Sequence, residues 1–127
     1  MLDGMSRYQS QALGVLRIVT ALLFIEHGTQ KLLGFPAPGM ESLPSLMLVA
    51  GILEAIGGLL ILVGFLTRPV AFVLSGFMAV AYWMGHAPQN FFPVNNGGDA
   101  AILFCFVFLY LFFAGAGAFS VDNRSTR

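Results

Sequence analysis

Four long apolar stretches, each close to the length of a membrane-spanning helix, constrain this sequence more than any other feature. A helix needs roughly 20 apolar residues to cross about 30 Å of hydrocarbon. The stretches cover residues 11–33, 46–66, 69–84 and 100–119. The chain is 57% hydrophobic and 9% charged, well below the charge content of soluble domains. The sequence therefore predicts an all-α integral membrane protein, with residues 1–127 forming one domain, a four-helix transmembrane bundle.

Glycine and proline separate these stretches, and the arginines predict their orientation. Thr67-Arg68-Pro69 forms a tight second turn, where proline suits the first position of a new helix. The flanks that share one side of the predicted bundle hold four arginines: Arg7, Arg68, Arg124 and Arg127. Lys31 flanks the other side. Because cytoplasmic flanks carry the excess of Lys and Arg, both chain ends are predicted to be cytoplasmic.

Net charge and cysteine content exclude several function classes. The net charge is zero and no basic block is present, so nucleic acid is not an expected partner, since phosphate contacts need clustered Lys and Arg. The single cysteine, Cys105, lies inside an apolar run and has no second cysteine for a disulfide or a CxxC motif. We therefore expect an inert thiol.

Ionisable side chains are predicted to gather in the outer half of the bundle, where each predicted helix contributes at least one. They are Glu26, His27, Lys31, Glu54, His86 and Asp99. A charge at the bilayer centre costs at least about 2.5–3.5 kcal/mol, so such residues need a partner or a function. Glu54 lies in a stripe of small residues, Gly51-x-x-Glu54-x-x-Gly57-Gly58, which predicts that it points toward a neighbouring helix. We predict that this set binds a ligand.

Structural roles are the alternative for the same residues. Glu54 would then pair with Lys31, His27 or His86 to hold the bundle together. Asp99 follows Gly97-Gly98 and would cap the fourth helix. We interpret Arg17 as snorkelling to the inner headgroups. No pair of these donors has the spacing of a metal motif, so no metal site is predicted, and haem would require His27 and His86 to face each other.

Several segments of the chain, in order, resemble the DoxX family of small membrane proteins. In the first two predicted helices these segments are Arg17-Ile18, Leu23-Phe24-Ile25-Glu26-His27-Gly28, Lys31-Leu32-x-Gly34-Phe35 and Glu54-x-x-Gly57-Gly58-Leu59-Leu60. Later segments are Thr67-Arg68-Pro69, Ala81-Tyr82-x-x-x-His86-x-Pro88 and Asn96-Gly97-Gly98-Asp99. The family often has Glu where this chain has Asp99, which keeps the charge and shortens its reach.

The resemblance implies a bacterial inner-membrane protein with links to redox complexes. The family takes its name from a subunit associated with a terminal quinol oxidase, and relatives are linked to thiosulfate:quinone oxidoreduction and to thiol stress. The leading hypothesis is therefore a subunit of an oxidoreductase complex that binds a quinone-like or small sulfur-containing ligand and works with a redox-protein partner. The alternative is a non-enzymatic scaffold or assembly chaperone, as homo-oligomer or with another protein. A small transporter is a third hypothesis.

Overall fold

The computed structural model of the protein describes residues 2–36 and 45–125, and over these residues the regular structure is helical, without strands. The helices are α1 (Gln9–Leu33), α2 (Ser45–Val63), α3 (Thr67–Gly85), α4 (Pro93–Asn96), α5 (Asp99–Ala114) and α6 (Val121–Ser125). Short 3₁₀ segments, Asp3–Tyr8 and Ala87–Gln89, precede α1 and follow α3. The predicted all-α class is confirmed.

Three helical segments in the described ranges are long and apolar enough to cross a membrane: Asp3–Leu33, Ser45–Val63 and Thr67–Gln89. The helix α5 is apolar but shorter, with 16 residues. The expectation of a membrane protein built from apolar helices is confirmed. The fourth span and the cytoplasmic placement of both ends stay predictions.

Two helices end earlier than the sequence predicted. The second ends at Val63, because Gly64 and Leu66 take left-handed conformations with φ of 69° and 54°. The last long helix ends at Ala114 instead of continuing to Phe119. Gly115 and Gly117 have φ of 84° and 72°, values that glycine adopts without a steric penalty. These turns free the backbone carbonyls that follow α5 for contacts elsewhere.

The first of two compact units combines α1, α2 and the segment after α5, over Met1–Thr67 and Ala116–Arg127. The two long helices approach closely at Gly28 of α1. A Cβ atom there would lie 2.9 Å from the backbone of both Gly51 and Ala55 on α2. Contacts this short require small residues, the same device that membrane helices use for close packing.

The second compact unit covers Arg68–Gly115. The rings of Phe72 on α3 and Phe112 on α5 pack with centroids 5.1 Å apart. The Ser75 hydroxyl donates a hydrogen bond of 2.8 Å to the carbonyl of Cys105. Arg68 donates to the Phe113 carbonyl at 2.8 Å, so a cation satisfies the C-terminal end of α5, where the helix dipole is negative.

Candidate functional site

An ion pair between Lys31 and Glu54 joins α1 to α2. The Lys31 ammonium donates a hydrogen bond to Oε1 of Glu54. The Glu54 side chain is 3% exposed and that of Lys31 is 23% exposed. Glu54 points toward α1, as the glycine stripe predicted, and Lys31 is the partner that it meets. The pair neutralises the carboxylate where the two helices pack against each other.

Glu26 and His27 lie on the exposed surface of α1, unlike Glu54. They are about 10 Å before the end of α1 at Leu33, at 1.5 Å rise per residue. The surface on the preceding turn is apolar, because Leu22 and Leu23 are exposed there, and the following turn carries the polar residues Gln30 and Lys31. An acid and an imidazole thus stand next to each other on the outward face of a membrane helix.

A backbone contact fixes the tautomer of His27. Its Nδ1 lies 2.8 Å from the carbonyl oxygen of Leu23. A carbonyl oxygen only accepts hydrogen bonds, so Nδ1 of His27 carries a proton and donates it to Leu23. A neutral imidazole with its proton on Nδ1 accepts at Nε2, and a carboxylate accepts at both oxygens, so groups of these two types suit a ligand that donates hydrogen bonds.

His86 belongs to a network in the second unit that sequence reasoning missed. Its Nδ1 lies 3.0 Å from the carbonyl oxygen of Asn96. The Asn96 side chain is buried and donates to the Tyr82 hydroxyl at 3.1 Å and to the Asn90 carbonyl at 3.0 Å. It also accepts a hydrogen bond of 2.8 Å from the Gly98 N–H. The signal in the sequence is the run Asn95-Asn96-Gly97-Gly98, whose amide side chains lie between two predicted helices.

The capping role considered for Asp99 is wrong. Asp99 is the first residue of α5 and is exposed, and the capping position belongs to Gly98 without a side-chain hydrogen bond. The carboxylate still lies at the positive end of the helix dipole, which favours it there.

Asp99 and His86 belong to the second unit, while the other four predicted site residues belong to the first.

The interpretation of Arg17 as a snorkelling residue is also wrong. Arg17 is fully buried in the first unit. Its guanidinium donates hydrogen bonds to four carbonyls, those of Leu62 at 3.4 Å, Ala116, Ala118 at 3.0 Å and Phe119 at 2.7 Å. Three of these acceptors follow the early end of α5. Arg17 therefore fastens the C-terminal segment of the chain to α1 and α2.

Asp122 completes this attachment from the C-terminal segment. Its carboxylate accepts hydrogen bonds from the N–H groups of Leu66 at 3.0 Å and Thr67 at 2.8 Å. Burial raises the pKa of Asp122, but the hydrogen bonds from Thr67 and Leu66 and the charge of Arg17 outweigh it, so this pKa lies below its ordinary value. The ionised carboxylate is the form that stabilises the fold.

Acid should weaken this attachment. A carboxyl with a lowered pKa stabilises the fold above its unfolded pKa of about 3.9, and this stability is lost as pH falls through the folded value. We expect the thermal stability of the wild type in detergent to fall more between about pH 5 and pH 3 than that of Asp122→Asn. The control Asp99→Asn should keep the wild-type fall, because Asp122 is intact. Equal falls in the wild type and Asp122→Asn would contradict the assignment.

Within each unit, the predicted site residues have different surroundings. Lys31 and Glu54 form a pair, Glu26 and His27 are exposed neighbours, and His86 is tied to a connecting segment. Within residues 2–36 and 45–125, the structure brings no three His, Cys, Asp or Glu side chains together as metal ligands. The exposed pair on α1 is the arrangement that offers unburied acid–base chemistry, so it is the candidate functional site.

Comparison with known proteins agrees with this architecture. The chain is 42% identical to an uncharacterized protein of Haemophilus influenzae (strain ATCC 51907 / DSM 11121 / KW20 / Rd), with 97% of each chain covered. It is 33% identical to the inner membrane protein YqjF of Escherichia coli (strain K12), with 94% of this chain and 95% of the relative covered. No solved structure gives a significant match. The DoxX family matches residues 12–87. With its apolar helices, the chain is an integral inner-membrane protein, and it belongs to the DoxX family.

Proposed function

We propose that the protein is a redox-associated membrane subunit whose exposed Glu26–His27 pair binds a quinone-like ligand within the bilayer. The observation that carries this proposal is the exposure of an acid and an imidazole beside the exposed leucines of the preceding helix turn. Ionisable residues within membrane spans are costly and mark ligand or proton pathways. The neighbouring carboxylate, Glu54, is already paired with Lys31, so we assign those two residues a supporting role.

The position of the pair favours a lipophilic ligand over a sulfur oxyanion. A ligand dissolved in the bilayer reaches an outward helix face without a channel, and Leu22 and Leu23 offer apolar contacts beside it. A small sulfur oxyanion does not dissolve in hydrocarbon, and the Glu26 carboxylate would repel it. A quinol hydroxyl, in contrast, donates a hydrogen bond to acceptors of the kind that Glu26 and His27 present.

In the proposed chemistry, this subunit accepts the protons of the ligand and a partner protein accepts its electrons. Oxidation of a quinol releases two protons and two electrons. Glu26 and His27 each offer one acceptor for a proton, and acid–base groups must lie within hydrogen-bond reach of the proton they take. Carboxylate and imidazole side chains do not accept the electrons of a quinol, so the two electrons pass to a redox centre on a partner protein. The subunit itself would bind and orient the quinol.

Small molecules retained during gentle purification test this proposal. We expect the wild type to retain a quinone and Glu26→Gln/His27→Ala to retain about tenfold less or lower, because hydrogen bonds to charged groups contribute about 1.5–3 kcal/mol. Mass spectrometry of the extracts, scaled to protein amount, gives the ratio. The matched control is Val15→Ala/Leu16→Ala, another adjacent and exposed pair on α1, which should retain the quinone. Equal retention in all three proteins would overturn the proposal.

A non-enzymatic scaffold or assembly role is the second candidate. The Lys31–Glu54 pair favours it, because the ion pair joins α1 to α2 with the Glu54 side chain 3% exposed. The exposed pair would then contact another membrane protein or a second copy of the chain. In that case the extracts of the wild type and of Glu26→Gln/His27→Ala contain no quinone. The double variant instead loses a protein that co-purifies with the wild type.

A further inference from the structure

The connection between α3 and α5, residues 86–98, carries large apolar side chains on its exposed surface. Phe91 is 85% exposed, Val94 is 77% exposed and Phe92 is 58% exposed. Trp83 and Met84, in the last turn of α3, are also exposed. Surfaces of this kind are unfavourable in water, because burying a side chain such as Phe gains about 1.5–3 kcal/mol. The connection therefore has a surface that needs an apolar environment.

The same segment contains no carboxylate, lysine or arginine side chain to hold it in water. No Asp, Glu, Lys or Arg lies between Arg68 and Asp99 in the sequence. Its exposed polar residues are amides, among them Gln89 and Asn95. Neutral polar groups beside aromatic rings are the composition found at the boundary between headgroups and hydrocarbon.

Hydrogen bonds inside the connection reduce its need for water. The N–H groups of Asn95 and Asn96 donate to the carbonyl of Phe92 at 2.9 and 3.0 Å, and the N–H of Gly97 donates to Pro93 at 3.1 Å. The N–H of Phe92 donates to the Asn90 side chain at 2.9 Å. Backbone groups that enter an environment with little water must make their hydrogen bonds within the protein. These internal hydrogen bonds therefore lower the cost of placing the segment against lipid.

We propose that the connection does not project into water but lies in the bilayer interface, with the rings of Phe91 and Phe92 among the lipids. Lipid is the occupant that the observations favour, because the exposed surface continues from the end of the membrane helix α3 at Trp83 and Met84. The inward side of the segment is already occupied by the network around Asn96. The proposal concerns a different unit from the Glu26–His27 pair and does not depend on ligand binding.

Tryptophan fluorescence in reconstituted vesicles tests the placement. Trp83 is the single tryptophan of the chain, so the wild type reports on the end of α3, and Trp83→Phe/Phe91→Trp reports on the connection. The vesicles contain phosphatidylcholine brominated either near the headgroup or near the terminal methyl of the acyl chain. We expect a tryptophan at 91 to lose most of its emission to the first lipid, less to the second, and little to acrylamide added in water.

One further variant and the wild type serve as controls. Trp83→Phe/Asn95→Trp, with its probe on a polar and exposed position of α4, should be quenched more by acrylamide than the probe at 91. The unsubstituted Trp83 should show the bromolipid quenching without any change of sequence. Strong acrylamide quenching at 91 would place the connection in water, and quenching by neither agent would place it against a second copy or another protein. Either result overturns the proposal.

Discussion

Arg17→Met should lower the free energy of unfolding by about 3 kcal/mol or more, because it leaves several carbonyl acceptors without donors and each buried unsatisfied group costs about 1–3 kcal/mol. Methionine keeps an apolar stem of similar length, so the loss isolates the guanidinium. The acceptors of Ala116 and Ala118 belong to buried residues of the C-terminal segment. That segment should detach first. An SDS titration followed by circular dichroism measures the stability, and limited proteolysis reports the detachment.

Two arginine controls separate geometry from charge. Arg17→Lys keeps the charge but lacks the planar fork that reaches several acceptors, so its stability should fall between those of the wild type and Arg17→Met. Arg7→Met removes an exposed arginine that lies over the Tyr8 ring, with 4.8 Å to the centroid, and should change little. If Arg17→Met unfolded at the same SDS concentration as Arg7→Met, the role of Arg17 in holding the segment would be wrong.

The contacts of Arg17 explain which part of the fold the sequence did not predict, the end of the last long helix. Apolar length correctly predicted membrane helices, because bilayer thickness fixes that length whatever the partners are. It did not predict where the last long helix ends, because Phe119 and its neighbours are as apolar as a span. The glycines at 115 and 117 carried that information, together with a buried cation on α1 that needs carbonyls. A snorkelling arginine and a buried one look alike until its acceptors are known.

For the candidate site, the sequence predicted the direction of one side chain but not its partner. Helical periodicity and the glycine stripe correctly predicted that Glu54 faces another helix, since small residues mark the side that packs. The sequence offered Lys31, His27 and His86 equally as its partner, because the choice depends on side-chain reach in three dimensions. Periodicity places Glu26 on a different side of α1 from Lys31, and the structure leaves Glu26 exposed. The prediction that all six residues form one ligand site rested on their depth in the membrane, and depth does not fix direction around a helix.

The Lys31–Glu54 pair should be more sensitive to loss of the lysine than to loss of the acid. Lys31→Met leaves a carboxylate that is 3% exposed without its cation, whereas Glu54→Leu leaves an ammonium that is 23% exposed and can reach headgroups. Breaking a buried pair costs about 3–5 kcal/mol. We expect Lys31→Met to approach that cost and Glu54→Leu to remain below it in the same SDS titration. Glu26→Gln, at an exposed position on α1, is the matched control and should unfold like the wild type.

The double variant Lys31→Met/Glu54→Leu then separates packing from ligand binding. Apolar replacement of a whole buried pair is often neutral or stabilising, so its stability should return close to that of the wild type. If it also retains the quinone, the pair only holds α1 against α2, and Glu26 with His27 carries the ligand. If stability returns but the quinone is lost, Lys31 and Glu54 contact the ligand themselves. A double variant less stable than both single ones would show that the two side chains do not act as a pair.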